Sequence, residues 1–409
     1  MKYKRLKLAC YSTNLSMSVV SALSPLLLLT FREAYGISYS LLGLLVLINF
    51  STQLLVDLAF SFFSHKFNIP LAVKLIPVIN IIGMILYALS PVFFDGQAVF
   101  IGLAIGTVIF SASSGLAEVL ISPIIAAIPS DDPDREMSKL HSVFAWGVVG
   151  VVLFSSAYLA IFDNSSWQWL VILLCVIPIV GLILYSGVTI PNIQPEGVGG
   201  STSVLRCGTV WLCVISIFLG GAAECTMSQW CSTYLEGALG ITKVWGDIFG
   251  VAMFSVFLGL GRSLYSKFGK NIMRFLIIGA IGATICYVTA ALAVSNTVGL
   301  IACALTGFFT SMLWPGNLIV STDIHKGGGV VIFALMAAGG DLGASVGPQL
   351  VGVITDAVIG SELGMKLATN LSVTTEQLGL KVGLLFAAMF PLILVGILLV
   401  LRRYHSVKK

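Results

Sequence analysis

Five ionisable side chains lie inside long apolar stretches of the sequence, where a charge is costly. They are Asp57, Glu118, Glu224, Arg262 and Asp341. An ionised group at membrane depth costs roughly 2.5–3.5 kcal/mol even on a lenient insertion scale. A chain that keeps such groups either pairs them between helices or uses them to bind and move ions. Both uses are open from the residue types alone.

Three of these carboxylates are candidates for proton coupling: Glu118, Glu224 and Asp341. Glu118 has small residues at −7, −3 and +4, and Glu224 shares its helix face with two glycines and Ser228. Such a small, polar face suits a water-filled cavity, in which a partly desolvated carboxylate can load and release a proton. Glu224 can alternatively hydrogen-bond a substrate hydroxyl. Asp341 follows two glycines, so pairing with a neighbouring helix is an equal alternative for it.

Polar and aromatic side chains at helical spacing extend this set to a substrate site. The candidates are Asn14, Ser18, Gln53, Glu118, Glu224, Ser228, Trp314 and Asn317. An indole beside amides and hydroxyls suits stacking on a sugar ring, although any amphipathic solute would serve. Asp57 and Arg262 lie nearer the ends of their apolar stretches. We therefore expect these two residues to form hydrogen bonds that close a gate on the cytoplasmic side.

The composition identifies the elements that must position these groups. The chain has 409 residues, of which 57% are hydrophobic and 10% charged, and a mean hydropathy of +1.02. Soluble domains carry about 25% charged residues. This excludes a soluble enzyme, a nucleic-acid-binding protein and a disordered chain. Long continuous apolar runs predict helices rather than barrel strands.

Twelve such runs predict an all-α membrane protein with twelve transmembrane helices. They cover residues 6–30, 38–63, 71–93, 97–128, 138–161, 167–190, 207–235, 246–268, 272–294, 297–321, 329–356 and 380–402. With this count, 17 lysines and arginines fall on the side of the termini and 4 on the other, with Arg262 inside a run. By the positive-inside rule both termini are cytoplasmic. Short loops favour a bacterial protein of the inner membrane.

The eight cysteines lie in or beside the predicted spans and form no Cys-x-x-Cys pair. This pattern favours packing residues over a metal site or a disulfide framework. We expect no cofactor and no metal. No nucleotide-binding motif is present, so an ion gradient is the expected energy source.

An internal repeat divides the chain into two halves. Residues 115–123 (GLAEVLISP) match 307–315 (GFFTSMLWP), 65–68 match 266–269, and Gly147 and Gly150 match Gly340 and Gly343. The matched positions are separated by 192 to 201 residues. Secondary transporters often carry such repeats. We expect an amino-terminal six-helix bundle over 1–190, a cytoplasmic linker over 191–206 and a second bundle over 207–409, related by a pseudo-two-fold axis.

This layout resembles the major facilitator superfamily over the whole chain, and four motifs resemble its fucose–galactose–gluconate proton symporter family. The motifs are residues 115–123, 220–224 (GGAAE), 311–315 (SMLWP), and 336–340 (MAAGG) followed by Pro348 and Asp356. The resemblance implies the major facilitator fold and makes Glu118 the proton-carrying carboxylate. It also implies that the protein is a transporter and not an enzyme.

The function expected from these observations is secondary active transport. The first hypothesis is proton-coupled symport of a small polar solute, a sugar or a related molecule, by alternating access. The second is proton-coupled antiport that exports a drug or a metabolite. The third is a receptor or scaffold that transports nothing, against which the intramembrane charges argue. The expected partners are the substrate, a proton or Na⁺, and the lipid bilayer, and the expected oligomeric state is a monomer.

Overall fold

The structure is a computed structural model and describes residues 3–63, 66–130, 133–191, 206–325 and 329–407. Within these ranges the regular structure is helical, without a strand. Twelve helices in the described part are long and apolar enough to cross a membrane. This confirms the twelve spans predicted from hydropathy.

We number the twelve spans α1 to α12. Eight of them have unbroken helices: α1 (Lys4–Tyr35), α2 (Tyr39–Phe63), α3 (Ile69–Ala88), α4 (Val99–Ala127), α5 (Pro133–Phe162), α7 (Gly208–Leu239), α9 (Ile272–Leu292) and α11 (Gly329–Ile359). Four are interrupted: α6 (Trp167–Leu174, Val176–Tyr185), α8 (Lys243–Gly246, Asp247–Ala252, Met253–Phe268), α10 (Asn296–Thr310, Leu313–Ile324) and α12 (Thr375–Ala387, Met389–Val407). Short helices over Ser90–Phe93 and Glu362–Leu371 lie outside the spans.

The interruption in α10 has a clear cause in the sequence. Pro315 has no backbone N–H, so it cannot donate to the carbonyl of Ser311, four residues earlier. The helix stops at Thr310 and resumes at Leu313. The carbonyl of Ser311 is thereby left open to a donor from another helix.

The chain separates into two compact units. The first comprises Met1–Ile37 and Ile48–Gly197, and the second comprises Ser38–Leu47 and Val198–Lys409. The amino-terminal part of α2 thus belongs to the second unit. Of the predicted linker 191–206, all but its two end residues lie outside the described residues.

Repeated glycines make equivalent close helix contacts within each unit. A Cβ on Gly115 of α4 would press against α2, and one on Gly307 of α10 would press against α8. Gly147 of α5 faces α1 in the same way, and Gly343 of α11 faces α7. Small residues of this kind allow helix backbones to approach closely in a membrane. The paired contacts, α4–α2 with α10–α8 and α5–α1 with α11–α7, agree with the repeat in the sequence.

Candidate functional site

The second unit brings Glu224 of α7 and Arg262 of α8 into an ion pair. Arg262 Nη2 lies 3.2 Å from Glu224 Oε1, and the side chains are 46% and 12% exposed respectively. Arg262 Nε also donates to the carbonyl of Ser311, at 3.1 Å. This is the carbonyl that Pro315 leaves open. A break in α10 therefore orients the guanidinium that pairs with Glu224.

The second carboxylate oxygen of Glu224 is an open acceptor. Glu224 Oε2 is buried and has no hydrogen-bond partner among the described residues. A buried acceptor without a donor carries a desolvation cost of about 1–3 kcal/mol, and more when it is charged. The atom is therefore a place where a proton or a donor from a ligand would lower the free energy.

Asp341 belongs to the same cluster. Glu224, Arg262 and Asp341 all interact electrostatically with Cys225, the residue after Glu224. Asp341 is partly buried on α11. Ser228, one turn after Glu224, is also partly buried and donates to the carbonyl of Cys225, at 3.1 Å. Three of the five charged groups singled out from the sequence thus lie around Cys225.

Trp314 forms one wall of this cluster. Its indole ring lies against Gly340, which precedes Asp341, and against Gly221, one turn before Glu224. A Cβ on Gly340 would come within 2.5 Å of the ring, so only glycine leaves this room. Trp314 is partly exposed, and its N–H has no partner within the described residues. The indole thus packs between α7 and α11, and its N–H is an open donor within the described structure.

Asn317 is fully engaged in a contact between α10 and α7. It is 1% exposed, its amide donates to the carbonyl of Leu313 at 2.6 Å, and its Oδ1 accepts from Ser216 Oγ at 2.6 Å. It lies one turn from Trp314, yet its hydrogen bonds hold two helices together. Its amide and Oδ1 are thus occupied, and its contact with substrate stays a prediction from the sequence.

The first unit contains a separate polar network on α2 and α4. Asn49 Oδ1 accepts from Gln53 Nε2 at 3.0 Å and from Ser111 Oγ at 2.5 Å. Gln53 also packs against Gly115, whose Cβ position lies 3.1 Å from its Cα. Most of the small face expected to line a cavity beside Glu118 is therefore used for packing against α2.

Glu118 itself is exposed. Its carboxylate makes no hydrogen bond or ion pair with the residues that the structure describes. Asp57 follows Gln53 by one helical turn on α2 and is partly buried. Asp57 belongs to the first unit, whereas Arg262, the other residue predicted at a gate, belongs to the second.

Asn14 and Ser18 join α1 to α5. Asn14 Nδ2 donates to the carbonyl of Leu140 at 2.6 Å, and Ser18 Oγ donates to that of Phe144 at 2.9 Å. Both are buried, at 7% and 0% exposure. Both side chains thus donate to a neighbouring helix, and their contacts with substrate stay a prediction from the sequence.

Sequence reasoning missed one buried charge, Asp247. It lies in the π-helical segment Asp247–Ala252 at the start of α8 and is 0% exposed. Its Oδ1 accepts from Ser232 Oγ at 2.5 Å and lies 3.7 Å from Lys243 Nζ. The i, i+4 spacing of Lys243 and Asp247 was the available signal for this pair.

Asp356 was singled out from the sequence only as the end of the motif that begins at residues 336–340, but it caps α2 within the second unit. Its carboxylate accepts from the backbone N–H of Tyr39 at 3.1 Å and of Ser40 at 2.6 Å. These are amino-terminal groups of α2, which no residue of the helix itself can satisfy. No sequence signal links these positions, because they lie more than 300 residues apart.

A further ion cluster lies before the membrane-spanning part of α5. Glu136 accepts from Lys139 Nζ at 2.8 Å and from Lys7 Nζ at 2.9 Å. The hydrogen bonds from these two ammonium groups lower the pKa of Glu136 to about 2. Within the described residues no group of three or more metal-ligating side chains is present.

Comparison with known proteins matches the fold to one superfamily. The sequence model of the Major Facilitator Superfamily matches residues 9–348. Similar solved structures include an inward-facing, occupied bacterial homologue of the human lysosomal transporter Spinster (TM-score 0.76, 14% identity, 100% of this chain and 98% of that chain). They also include a D-xylose–proton symporter (0.72, 15%, 96% and 97%) and a variant of the E. coli fucose:proton symporter FucP (0.56, 15%, 96% and 99%). No curated protein matches the sequence.

Proposed function

The chain belongs to the major facilitator superfamily, a family of membrane transporters for small molecules, and we propose that it is a proton-coupled symporter. Its substrate would be a small polar solute, a sugar or a sugar-like molecule, imported by alternating access. The four motifs that resemble the fucose–galactose–gluconate family support this substrate class. The proposed location is a bacterial inner membrane, with both termini in the cytoplasm.

The observation that carries the proposal is the half-satisfied carboxylate of Glu224. One oxygen pairs with Arg262, and the other is buried without a partner among the described residues. A proton on this carboxylate would weaken the ion pair, and its loss would restore it. Coupling requires a group of this kind, whose protonation changes the contacts of its neighbours.

Glu118 would act as the second proton site, in the first unit. It is not covered by protein, and it has no partner among the described residues that would fix its charge. The Trp314 indole, with its open N–H, would stack on the solute beside Glu224. Ser228 and Gln53 are the remaining polar groups proposed to contact substrate.

Transport by purified protein in liposomes tests the proposal. A radiolabelled sugar panel is offered outside with the lumen alkaline, and we expect one or more solutes to accumulate against their gradient. In Glu118→Gln, accumulation should be lost while counterflow exchange, which needs no net proton movement, continues. Glu136→Gln is the matched control, since this glutamate lies outside the spans. Full accumulation by Glu118→Gln would refute its assignment, and accumulation driven only by an acidic lumen would indicate antiport.

A further inference from the structure

Arg262 uses only part of its hydrogen-bonding capacity. In the described structure Nε donates to the Ser311 carbonyl and Nη2 to Glu224, and no other hydrogen bond is made. The side chain remains 46% exposed although it belongs to a membrane-spanning helix. An arginine held in such a position with open donors is a candidate for ligand binding.

The contact between Arg262 and Glu224 is poor for a charged pair. Charge-assisted N–H···O bonds are typically about 2.7–2.9 Å and often bidentate. Here a single contact of 3.2 Å joins the two groups, and Glu224 Oε2 is buried without a hydrogen-bond donor among the described residues. A ligand carboxylate that engaged the planar fork with both oxygens would therefore bind Arg262 better than Glu224 does.

We propose that Arg262 binds a carboxylate of the substrate, and that Glu224 takes up the coupling proton as it is displaced. This inference rests on the proposed function, because it assigns the charge of the solute that the same cluster transports. The substrate class is a small monocarboxylate of sugar-like character. The Ser311 carbonyl keeps the guanidinium oriented throughout.

The exchange balances in charge and protons. The carboxylate of Glu224 gains a proton and becomes neutral, and the carboxylate of the substrate takes its place on the guanidinium. One anion and one proton thus enter the site together. Other titratable groups around Glu224 in the described structure include Cys225, Asp341 of α11 and Tyr287 of α9. The hydroxyl of Tyr287 donates to the Ala223 carbonyl. The proposed step leaves all three unchanged.

Two consequences distinguish this proposal from uptake of a neutral sugar. Binding of the anion should strengthen as the pH falls, because protonation of Glu224 releases Arg262. Transport should also be electroneutral, since the proton cancels the charge of the substrate. Symport of one proton with a neutral sugar instead moves one positive charge and responds to the membrane potential.

The binding test compares acids with their neutral counterparts. D-glucuronate and D-galacturonate are titrated against D-glucose and D-galactose on the purified protein at pH 5.5 and pH 8, with thermal stability as readout. We expect a uronate to bind more tightly at pH 5.5, and Glu224→Gln to bind it tightly at both values. Arg262→Ala should weaken binding by about 10- to 100-fold, the loss of a hydrogen-bonded charge.

The exposed Arg274→Ala is the matched arginine control and should bind as the wild type does. If Arg262→Ala does not fold, the double variant Glu224→Gln with Arg262→Gln, which removes both charges of the pair, replaces it. Binding of the neutral hexoses in place of the uronates overturns the proposal. Loss of uronate binding in a folded Glu224→Gln protein also overturns it. The same holds if the wild-type protein binds no uronate at either pH.

The transport test separates this inference from the proposed function. Uronate uptake into liposomes should be driven by a pH gradient. It should not change when a membrane potential is imposed with potassium and valinomycin. Proton-driven uptake of a neutral hexose that responds to the potential would support symport and overturn the role of Arg262. Uronate binding at Arg262 without any proton-driven uptake would support the recognition site and refute the coupling.

Discussion

The cap that Asp356 places on α2 allows a quantitative prediction. The carboxylate holds the backbone N–H groups of Tyr39 and Ser40, at 3.1 Å and 2.6 Å. Gln349 adds a hydrogen bond to the Ser40 carbonyl, at 3.2 Å. The amino-terminal segment of α2 is thus tied to α11 inside the second unit. Replacing Asp356 with Ala removes the carboxylate while retaining the other contacts.

The magnitude follows from the two hydrogen bonds. A bond to a charged group contributes about 1.5–3 kcal/mol, and loss of a helix cap costs about 0.5–2 kcal/mol. Ser40 is only half-buried, so water recovers part of the loss. We expect Asp356→Ala to lower the free energy of local opening of this segment by about 2–4 kcal/mol. Asp356→Asn keeps one acceptor and should lose about half of that.

Amide hydrogen exchange in detergent, read by mass spectrometry over residues 38–47, measures this opening. Since about 1.4 kcal/mol corresponds to a factor of ten, exchange should accelerate about 30- to 700-fold in Asp356→Ala. The control is Asp323→Ala, which removes an aspartate of α10 bound to His405 at 3.1 Å. It should leave residues 38–47 unchanged. Equal exchange in wild type and Asp356→Ala would refute the capping role.

Three further predictions concern pH, packing and the cluster. The ionised carboxylate of Glu136 stabilises the fold at pH values above the pKa of an unfolded glutamate, about 4.3. This contribution is lost as the pH falls toward the lowered pKa of about 2. The unfolding midpoint of Glu136→Gln should therefore vary less than that of the wild type between pH 4.5 and 2. Gly343→Ala should destabilise the protein by about 1–3 kcal/mol, because its Cβ would lie 2.8 Å from the Phe218 carbonyl carbon. Its repeat counterpart Gly150 has nothing within 4 Å of the Cβ position, so Gly150→Ala should be neutral or stabilising in the same denaturation assay, and equal effects would contradict the packing. Trp314→Ala should raise the Kd of the transported solute about fivefold or more; unchanged binding with lower thermal stability would mean that the ring only packs.

The sequence alone determined the architecture because the bilayer imposes it locally. Each span must satisfy its own backbone hydrogen bonds and needs about 20 predominantly apolar residues to cross the bilayer. The hydropathy of the sequence therefore locates the spans directly. The repeated glycines followed from the sequence for a related reason, since close helix contacts need small residues at fixed positions. Glu118, Glu224, Arg262 and Asp341 could be found as rare charges within these apolar runs.

Only the tertiary structure decided which of these groups meet. Arg262, expected at a gate, pairs with Glu224 and with the Ser311 carbonyl, because a proline in α10 opens that acceptor from another helix. Asn14 and Asn317 have the same helical pattern as cavity residues, but both make hydrogen bonds to a neighbouring helix. Helical periodicity defines a face and not the neighbour that covers it. The partner of each polar side chain is therefore set by packing between segments that are distant in the sequence.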